Sequence, residues 1–320
     1  MKSWIEELNF FGKERIPCAF FIDFLGENAL ILPLEELEQQ DILLDFPNFK
    51  HQDIRRGNKP IEMIPEFPKP AAYKMAFDLV QYHLNRGDTY LLNLTFSTPI
   101  ALNQHLAEIY PQIQAKYKIK FKDDWLCFSP ETFVQIANNR ISTFPMKGTI
   151  DASLPDAANR LLNNEKEKAE HHTIVDLLRN DLSKVAKKVK VDKFMYLEEL
   201  KTQKGNILQM SSEISGILPQ NWQHQLGSML NELLPAGSIS GAPKNKTLEI
   251  IAATENYERN FYTGIGGIFD GDHLDSCVLI RFIEKTDLGY VYKSGGGITA
   301  MSQLEDEYNE LKQKIYVPIH

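Results

Sequence analysis

Apolar residues along this chain change their period several times, and each change marks an element. Cys18-Ala19-Phe20-Phe21-Ile22-Asp23-Phe24 is a short, nearly continuous apolar run, as in a buried strand. Over 73–84 the apolar positions recur at helical spacing, until Asn85-Arg86-Gly87-Asp88 stops them. Residues 89–98 return to strand character. The stretch 125–144 divides into two or three strands, with Asn138-Asn139 as the turn between Val134-Gln135-Ile136 and Ile141-Ser142-Thr143. A long helix is expected from about 155 to 187. Lys187, Lys188 and Lys190 would close it, where cations complement the helix dipole. Strand sequence resumes over 206–217, and helices over 222–233 and 243–254. A meander follows over 262–299, punctuated by Gly271-Asp272 and Leu288-Gly289, and a last helix covers 304–316. Residues 1–70 are loosely patterned, and four prolines (Pro60, Pro65, Pro68, Pro70) make 58–70 a connector. Strand blocks and helix blocks alternate without a regular βαβ repeat, which predicts an α+β fold.

Two of the helices carry acids in an unusual place. On the long helix, Glu170 lies in line with Ile174, Leu177, Leu178 and Leu182, and Glu167 stands three residues before it. An acid on a core stripe is costly unless it is paired, protonated or bound to a metal. On the last helix, Glu307, Glu310 and Lys314 flank the stripe Leu304, Tyr308, Leu311 and Ile315. Spacing leaves two readings open. These are solvated helix charges with i,i+4 support from Glu310 to Lys314, or carboxylates converging on a hard cation such as Mg²⁺.

Composition narrows the class. The chain has 320 residues, 43% hydrophobic and 24% charged, enough for one large domain or two fused ones. A net charge of -8 without a Lys/Arg run argues against a nucleic-acid partner. The N-terminal residues Met1-Lys2-Ser3-Trp4-Ile5-Glu6-Glu7 do not read as a signal peptide, and no apolar run is long enough to span a bilayer. Cys18, Cys127 and Cys277 fit no zinc pattern. Their apolar neighbours predict reduced core thiols in a cytoplasmic protein.

Three glycine clusters and two cations remain. Pro235-Ala236-Gly237-Ser238-Ile239-Ser240-Gly241-Ala242-Pro243-Lys244 precedes a helix, with Pro243 suited to its first position. It lacks the Gly-Lys-Ser/Thr ending of a phosphate loop. Tyr262-Thr263-Gly264-Ile265-Gly266-Gly267 and Ser294-Gly295-Gly296-Gly297-Ile298 match no dinucleotide fingerprint and read singly as tight turns or bulges. Arg281 stands in the apolar run Val278-Leu279-Ile280-Arg281-Phe282, read as a strand, so its charge is expected to meet a carboxylate. Lys147, in Phe144-Pro145-Met146-Lys147-Gly148-Thr149, reads alone as a surface lysine at a strand end or as a buried nucleophile.

Together these stretches resemble the chorismate-utilising enzymes, over roughly 72–318. The signature pieces stand in that family's order: Ser129-Pro130-Glu131-Thr132-Phe133, Lys147-Gly148-Thr149, Glu167-Lys168-Ala169-Glu170-His171, Val175-Asp176-Leu177-Leu178-Arg179-Asn180-Asp181-Leu182, Gly237 to Lys244, Ile280-Arg281, and Gly296-Gly297-Ile298 with Glu307-Tyr308-Asn309-Glu310. The resemblance implies the anthranilate synthase component I-like fold, two α/β halves with large antiparallel sheets around a central cleft. A shortened N-terminal segment (1–70) would pack on a chorismate-binding catalytic domain (71–320). It also implies roles. Glu170 and Glu310 would bind Mg²⁺, supported by Glu167 and Glu307. Arg281, Tyr262, Gly297 and Lys314 would hold the carboxylates of chorismate, with Ser240 and the Gly241-Ala242 backbone beside them. Glu131 would serve as general acid or base.

Lys147 selects the branch. Aminodeoxychorismate synthase component I carries a lysine there as a nucleophile. Anthranilate synthase component I, the nearest rival, carries alanine. The water-using isochorismate and salicylate synthases carry a lysine in the strand matching Tyr90-Leu91-Leu92-Asn93, where this chain has Leu91. The implied activity is conversion of chorismate and ammonia to 4-amino-4-deoxychorismate, for para-aminobenzoate and folate synthesis. Ammonia would come from a separate glutamine amidotransferase subunit. Three departures stand out: Leu91 where amine-using relatives have glutamine, Gln209 where a histidine is usual, and no arginine after Gly148-Thr149. The leucine-glutamate-serine element of the tryptophan regulatory pocket is not seen, so no tryptophan feedback is expected. A reading of another class is a catalytically silent chorismate-binding subunit, which the four acids oppose.

Overall fold

A computed structural model describes residues 2–50, 59–202 and 205–319. Its framework is two antiparallel sheets, each nine-stranded among the described residues. One sheet runs Met146–Asp151, Gly205–Ile217, Arg140–Thr143, Thr132–Ala137, Leu274–Val278, Ile265–Phe269, Cys18–Ile22 and Ala29–Pro33, with Lys187–Thr202 on the outer side of Gly205–Ile217. The other runs Gly241–Ala242, Leu91–Leu102, Gly289–Ile298, Phe282–Thr286, Trp125–Ser129, Tyr117–Phe121, Ile42–Phe46 and Phe49–Lys50, with Met63–Pro65 beside Leu91–Leu102. The α+β expectation with two large antiparallel sheets is met. Residues before 71 enter both sheets: Cys18–Ile22 lies between Ala29–Pro33 and Ile265–Phe269, and Ile42–Phe46 pairs with Tyr117–Phe121.

The sheets are joined by a two-stranded ribbon. Trp125–Ser129 pairs with Phe282–Thr286 in one sheet, and their continuations Thr132–Ala137 and Leu274–Val278 pair in the other. The chain therefore crosses between sheets twice at the same corner, through Pro130-Glu131 and through Leu279-Ile280-Arg281. Two backbone hydrogen bonds tie the crossings, Val278 N–H to the Glu131 carbonyl (3.1 Å) and Phe128 N–H to the Arg281 carbonyl (3.1 Å).

Several local expectations hold. Asn138 and Asn139 both adopt left-handed backbone, φ 51° and 57°, as a two-residue hairpin turn requires. The helix predicted over 73–84 is Pro70–Asn85, and Tyr73, Phe77, Val80 and Leu84 form its buried face. The connector 58–70, described from residue 59 since residue 58 lies outside the described residues, contains the short strand Met63–Pro65.

Other expectations are corrected. The helix expected over 155–187 is two helices, Ala157–Leu162 and Glu165–Val185. Asn164 breaks them apart because its side chain accepts from Glu167 N–H and caps the second. Lys187, Lys188 and Lys190 do not close that helix. They begin the strand Lys187–Thr202, where Val189 and Val191 favour extended backbone. This strand went unread, although it is the partner of Gly205–Ile217 in the longest hairpin of the fold. Pro243 precedes the helix Lys244–Thr254 instead of starting it, with extended backbone at φ -71° and ψ 141°. The last helix stops at Gln313. Arg281 is not within a strand. It sits at the ribbon corner with φ 57°, a conformation that costs a side-chain-bearing residue about 1–3 kcal/mol.

Packing on the first sheet positions the first acid helix. Ile174, Val175, Leu178 and Leu182 of Glu165–Val185 are buried in one cluster with Ile214, Leu230 and Ile239. Each such side chain contributes about 1.5–3 kcal/mol of burial. Leu311 anchors the helix Leu304–Gln313 in the same cluster, with Leu304 and Tyr308 packed partly buried against it.

Candidate active site

The corner residues and the two acid helices meet. Glu131 Oε1 accepts a 2.5 Å hydrogen bond from Ser238 Oγ. Burial pushes its carboxyl above the usual range, opposed by Ser238 and by the charges of Lys147, Arg281 and Lys314. So three cations from three separate elements face one acid of the corner. Burial likewise works against the charge of Arg281, but Tyr292, Tyr316 and Tyr262 keep its pKa raised. Tyr262 is itself buried, and its hydroxyl pKa is raised by that burial.

The acids on the helices are answered by lysines. Lys147 Nζ lies 3.6 Å from Glu170 Oε2, Lys166 Nζ 3.3 Å from Glu307 Oε1, and Lys314 Nζ 2.5 Å from Glu310 Oε1. Ser302 Oγ also donates to Glu307 Oε1 at 2.6 Å. Burial raises the pKa of Glu170, with Lys147 opposing and Glu167 adding to the rise. Burial raises Glu307 too, against the Ser302 hydrogen bond. Glu310 goes the other way: burial disfavours its charge, yet Lys314, Lys147 and Lys166 lower its pKa overall. Lys314 is lowered by burial, although Glu310 opposes this, and its Nζ donates to the Gly295 carbonyl at 2.8 Å.

Three glycines make room for these groups. A Cβ on Gly148, at φ +71°, would stand 3.0 Å from Glu167 Oε2. A Cβ on Gly296 would stand 3.2 Å from Glu310 Oε1, 3.5 Å from Lys314 Nζ and 3.6 Å from Glu307 Oε2. A Cβ on Gly297 would stand 3.1 Å from Lys147 Nζ and 3.2 Å from Leu91 Cδ1. Gly296 thus leaves room for the acids of the last helix, and its neighbour Gly297 for Lys147. Lys147 reaches it because Met146–Asp151 is the edge of its sheet, with a register shift between Lys147 and Thr149.

The Ser240-Gly241-Ala242 segment runs beside the strand that pairs with Gly296 and Gly297. Gly241 and Ala242 pair with Leu92 and Leu91. Ser240 is fully buried, and its hydroxyl donates to the Ala236 carbonyl at 2.9 Å. Leu91 is buried against Gly297, and Gln209 is buried opposite Thr149.

As a metal centre the site has a mixed character. Among the described residues, no three His, Cys, Asp or Glu side chains close around one point. The donors offered by Glu167, Glu170, Glu307 and Glu310 are nonetheless all carboxylate oxygens, and two of them converge over Gly296. Mg²⁺ needs only one or two protein carboxylates, with water and substrate filling its other positions. The donor chemistry therefore fits it.

Comparison with known proteins then decides the family. A family model described as chorismate binding enzyme matches residues 28–320. The chain belongs to the chorismate binding enzyme family. Proteins of Haemophilus influenzae and Pasteurella multocida, each named an uncharacterized PabA-like protein, are 52% and 50% identical to it. Each match spans all of this chain and 97% or 99% of the relative. The aminodeoxychorismate synthase component 1 of Bacillus subtilis is 30% identical over 88% of this chain and 62% of its own length. Among solved structures, a 2,3-dihydroxybenzoate-specific isochorismate synthase of Bacillus anthracis superposes with a TM-score of 0.74 at 19% identity, covering 98% of this chain and 88% of its own. Anthranilate synthase component I of Streptococcus pneumoniae gives 0.68 at 22% identity, covering 97% and 78%. These two show the shared fold.

Around the candidate site of this chorismate-binding enzyme stand groups that sequence reasoning passed over. Lys166 and Ser302 hold Glu307, Ser238 holds Glu131, and Gly148 and Gly296 give the acids space. Ser238 and both glycines stood inside the quoted motifs. Lys166 lies in an alternating charge run, which carries no signal of burial. His171, fully buried, bonds Ser212 Oγ through Nε2 at 2.7 Å. Burial, with His172 and Lys147, lowers its pKa to about 4, so it is neutral at neutral pH. No helix among the described residues is long and apolar enough to cross a membrane.

Proposed function

We propose that this chorismate-binding enzyme is the aminating component of an aminodeoxychorismate synthase, converting chorismate and ammonia to 4-amino-4-deoxychorismate for para-aminobenzoate and folate synthesis. The observation that carries the reading is the placement of Lys147. Its amine stands over Gly297, with Glu170 3.6 Å away and Glu131 among the acids it acts on. An amine there can serve as nucleophile and an acid there can serve as proton donor.

In this scheme Arg281, Lys314 and Tyr262 bind the substrate carboxylates, with the Gly297 backbone and the Ser240-Gly241-Ala242 segment beside them. Lys147, as the free amine, forms a bond from Nζ to C2. Both ring double bonds shift, from C1=C2 and C5=C6 to C1=C6 and C4=C5, and the C4–O bond breaks. Glu131 gives the departing hydroxyl its proton, so that it leaves as water, and then takes the proton released by the new secondary ammonium. Ammonia next bonds to C4, both double bonds return to their original places, and the C2–Nζ bond breaks. Glu131 passes the proton lost by the incoming nitrogen to the departing lysine. Leu91 lines the Lys147 side of the cleft with hydrocarbon, which can neither accept nor donate the proton of an attacking water.

The acids Glu170 and Glu310, with Glu167 and Glu307 behind them, would hold Mg²⁺. When bound, Mg²⁺ supplies charge neutralisation for a substrate carboxylate and for the departing oxygen. Without it the four acids face the three lysines alone. Cys18, Cys127 and Cys277 are all buried, so none is presented as the nucleophile of a glutaminase. Ammonia is therefore assigned to a separate glutamine amidotransferase, and the buried thiols suit a cytoplasmic protein.

The test is product identification from chorismate, Mg²⁺ and ammonium, together with mass spectrometry of the protein trapped during turnover. The 4-amino product with an adduct on Lys147 is expected. Anthranilate as the main product would overturn the branch, and no product at all would favour a silent binding subunit.

A further inference from the structure

Among the described side chains around Arg281, Tyr316 is the one that hydrogen-bonds it. The Arg281 Nε is buried without a hydrogen bond. Its backbone is left-handed at the ribbon corner, so no strand register fixes the direction of its side chain. Two-point recognition of a carboxylate needs the guanidinium plane held still.

The group placed to hold it is Tyr316. The Arg281 guanidinium carbon lies 5.7 Å from the centre of the Tyr316 ring. Tyr316 is half-exposed, yet its backbone is tied from several sides. Ile315 before it is buried. The Tyr316 carbonyl accepts from the hydroxyl of buried Tyr292 at 3.1 Å. Beyond it, the Pro318 carbonyl accepts from Gln114 N–H at 2.8 Å, and Ile319 bridges to Ile113. The segment after the helix Leu304–Gln313 is thus a strap. It carries one aromatic ring out to the arginine, and it starts from Lys314, the other cation of the same subsite.

We propose that Tyr316 is a positioning residue, holding the Arg281 guanidinium in the orientation that receives a substrate carboxylate. The inference rests on the chorismate reading given above. It locates part of substrate affinity in a residue that none of the quoted motifs contains. Since Tyr316 acts through Arg281, its removal alters substrate binding and leaves the chemical step alone.

The experiment measures chorismate binding by calorimetry, and KM and kcat, for the wild type, Tyr316→Ala, Tyr316→Phe, Arg281→Lys and the Tyr316→Ala/Arg281→Lys double variant. Tyr316→Ala is expected to weaken binding and raise KM about 5- to 10-fold, the range of a partly desolvated cation–ring contact, with kcat within about twofold. Tyr316→Phe, which keeps the ring but removes the hydroxyl that bonds the guanidinium, should recover part of that loss. In the Arg281→Lys background, Tyr316→Ala should add less than about twofold. Unchanged binding in Tyr316→Ala, or a loss just as large in the Arg281→Lys background, overturns the proposal, and so does a fall in kcat at constant KM. If the alanine protein does not fold, Tyr316→Leu takes its place with the same outcomes. A wild-type protein that binds no chorismate would instead remove the functional reading, and this inference with it.

Discussion

Lys147 and Gly297 belong to different sheets, yet the lysine Nζ stands 3.1 Å from the point where a side chain on Gly297 would begin. The amine occupies the space that the glycine leaves open. Gly297→Ala should therefore act on the nucleophile without breaking the fold, because what its methyl group meets is the flexible ends of Lys147 and Leu91. We expect adduct formation to slow by tenfold or more while the melting temperature moves by only a few degrees. Stopped-flow mass spectrometry and thermal denaturation check this pair, and a wild-type adduct rate would show that Lys147 has room to spare.

Replacing Lys147 itself separates the branches. Lys147→Ala should abolish the covalent adduct and depress the 4-amino product, and any product that persists should be of the anthranilate type. Lys147→Arg should not rescue, because a guanidinium stays charged. Chromatography showing the 4-amino product at the wild-type level from the alanine variant would exclude a covalent role.

The buried acids predict a pH dependence of stability. Glu131, Glu170 and Glu307 all have pKa values raised by burial. For a raised carboxyl, the contribution to stability is complete below the unfolded value, about 4.3. It is lost as pH climbs through the folded value, since the unfolded chain releases its proton first. Glu131→Gln, which cannot ionise, should match the wild type near pH 4 and melt on the order of 1–3 °C higher at pH 8. Turnover should fall about 10²- to 10⁴-fold in the same variant. A stability gap that opens toward acid instead would mean that Glu131 is stabilised as the carboxylate.

For the metal, Glu170→Ala and Glu310→Ala should each abolish Mg²⁺-dependent turnover, as should a chelator added to the wild type. Mg²⁺ should also raise the wild-type melting temperature by mass action, with a smaller rise in either variant. Full activity in chelator would take the metal out of the reaction.

Tryptophan should give no binding heat at physiological concentrations. Inhibition by tryptophan would mean that residues 1–70 build a regulatory pocket from a sequence unlike the usual one.

Much of the chain was legible because its signals are local. The Asn138-Asn139 hairpin, the helices starting near 70 and 304 and the meander over 262–299 follow from periodicity and turn chemistry within about ten residues. The acids three apart on two helices were visible in the same way. The errors have local causes as well. Asn164 serves as a helix cap inside an otherwise continuous helical pattern, and the strand Lys187–Thr202 is masked by Lys187, Lys188, Lys190 and Lys193, which face solvent from a sheet edge. The site was different. That Glu131 and Arg281 share one corner depends on a ribbon that changes sheets, and two segments about 150 residues apart had to pair before either could turn. Which lysine answers which acid, and the room that Gly296 and Gly297 leave for them, depend on distances between elements far apart in the chain. Sequence determines which groups are available and how each segment folds. Charge pairing and depth of burial are properties of the packed whole, because an ion's energy depends on what surrounds it within a few ångströms, and only the tertiary structure decides that.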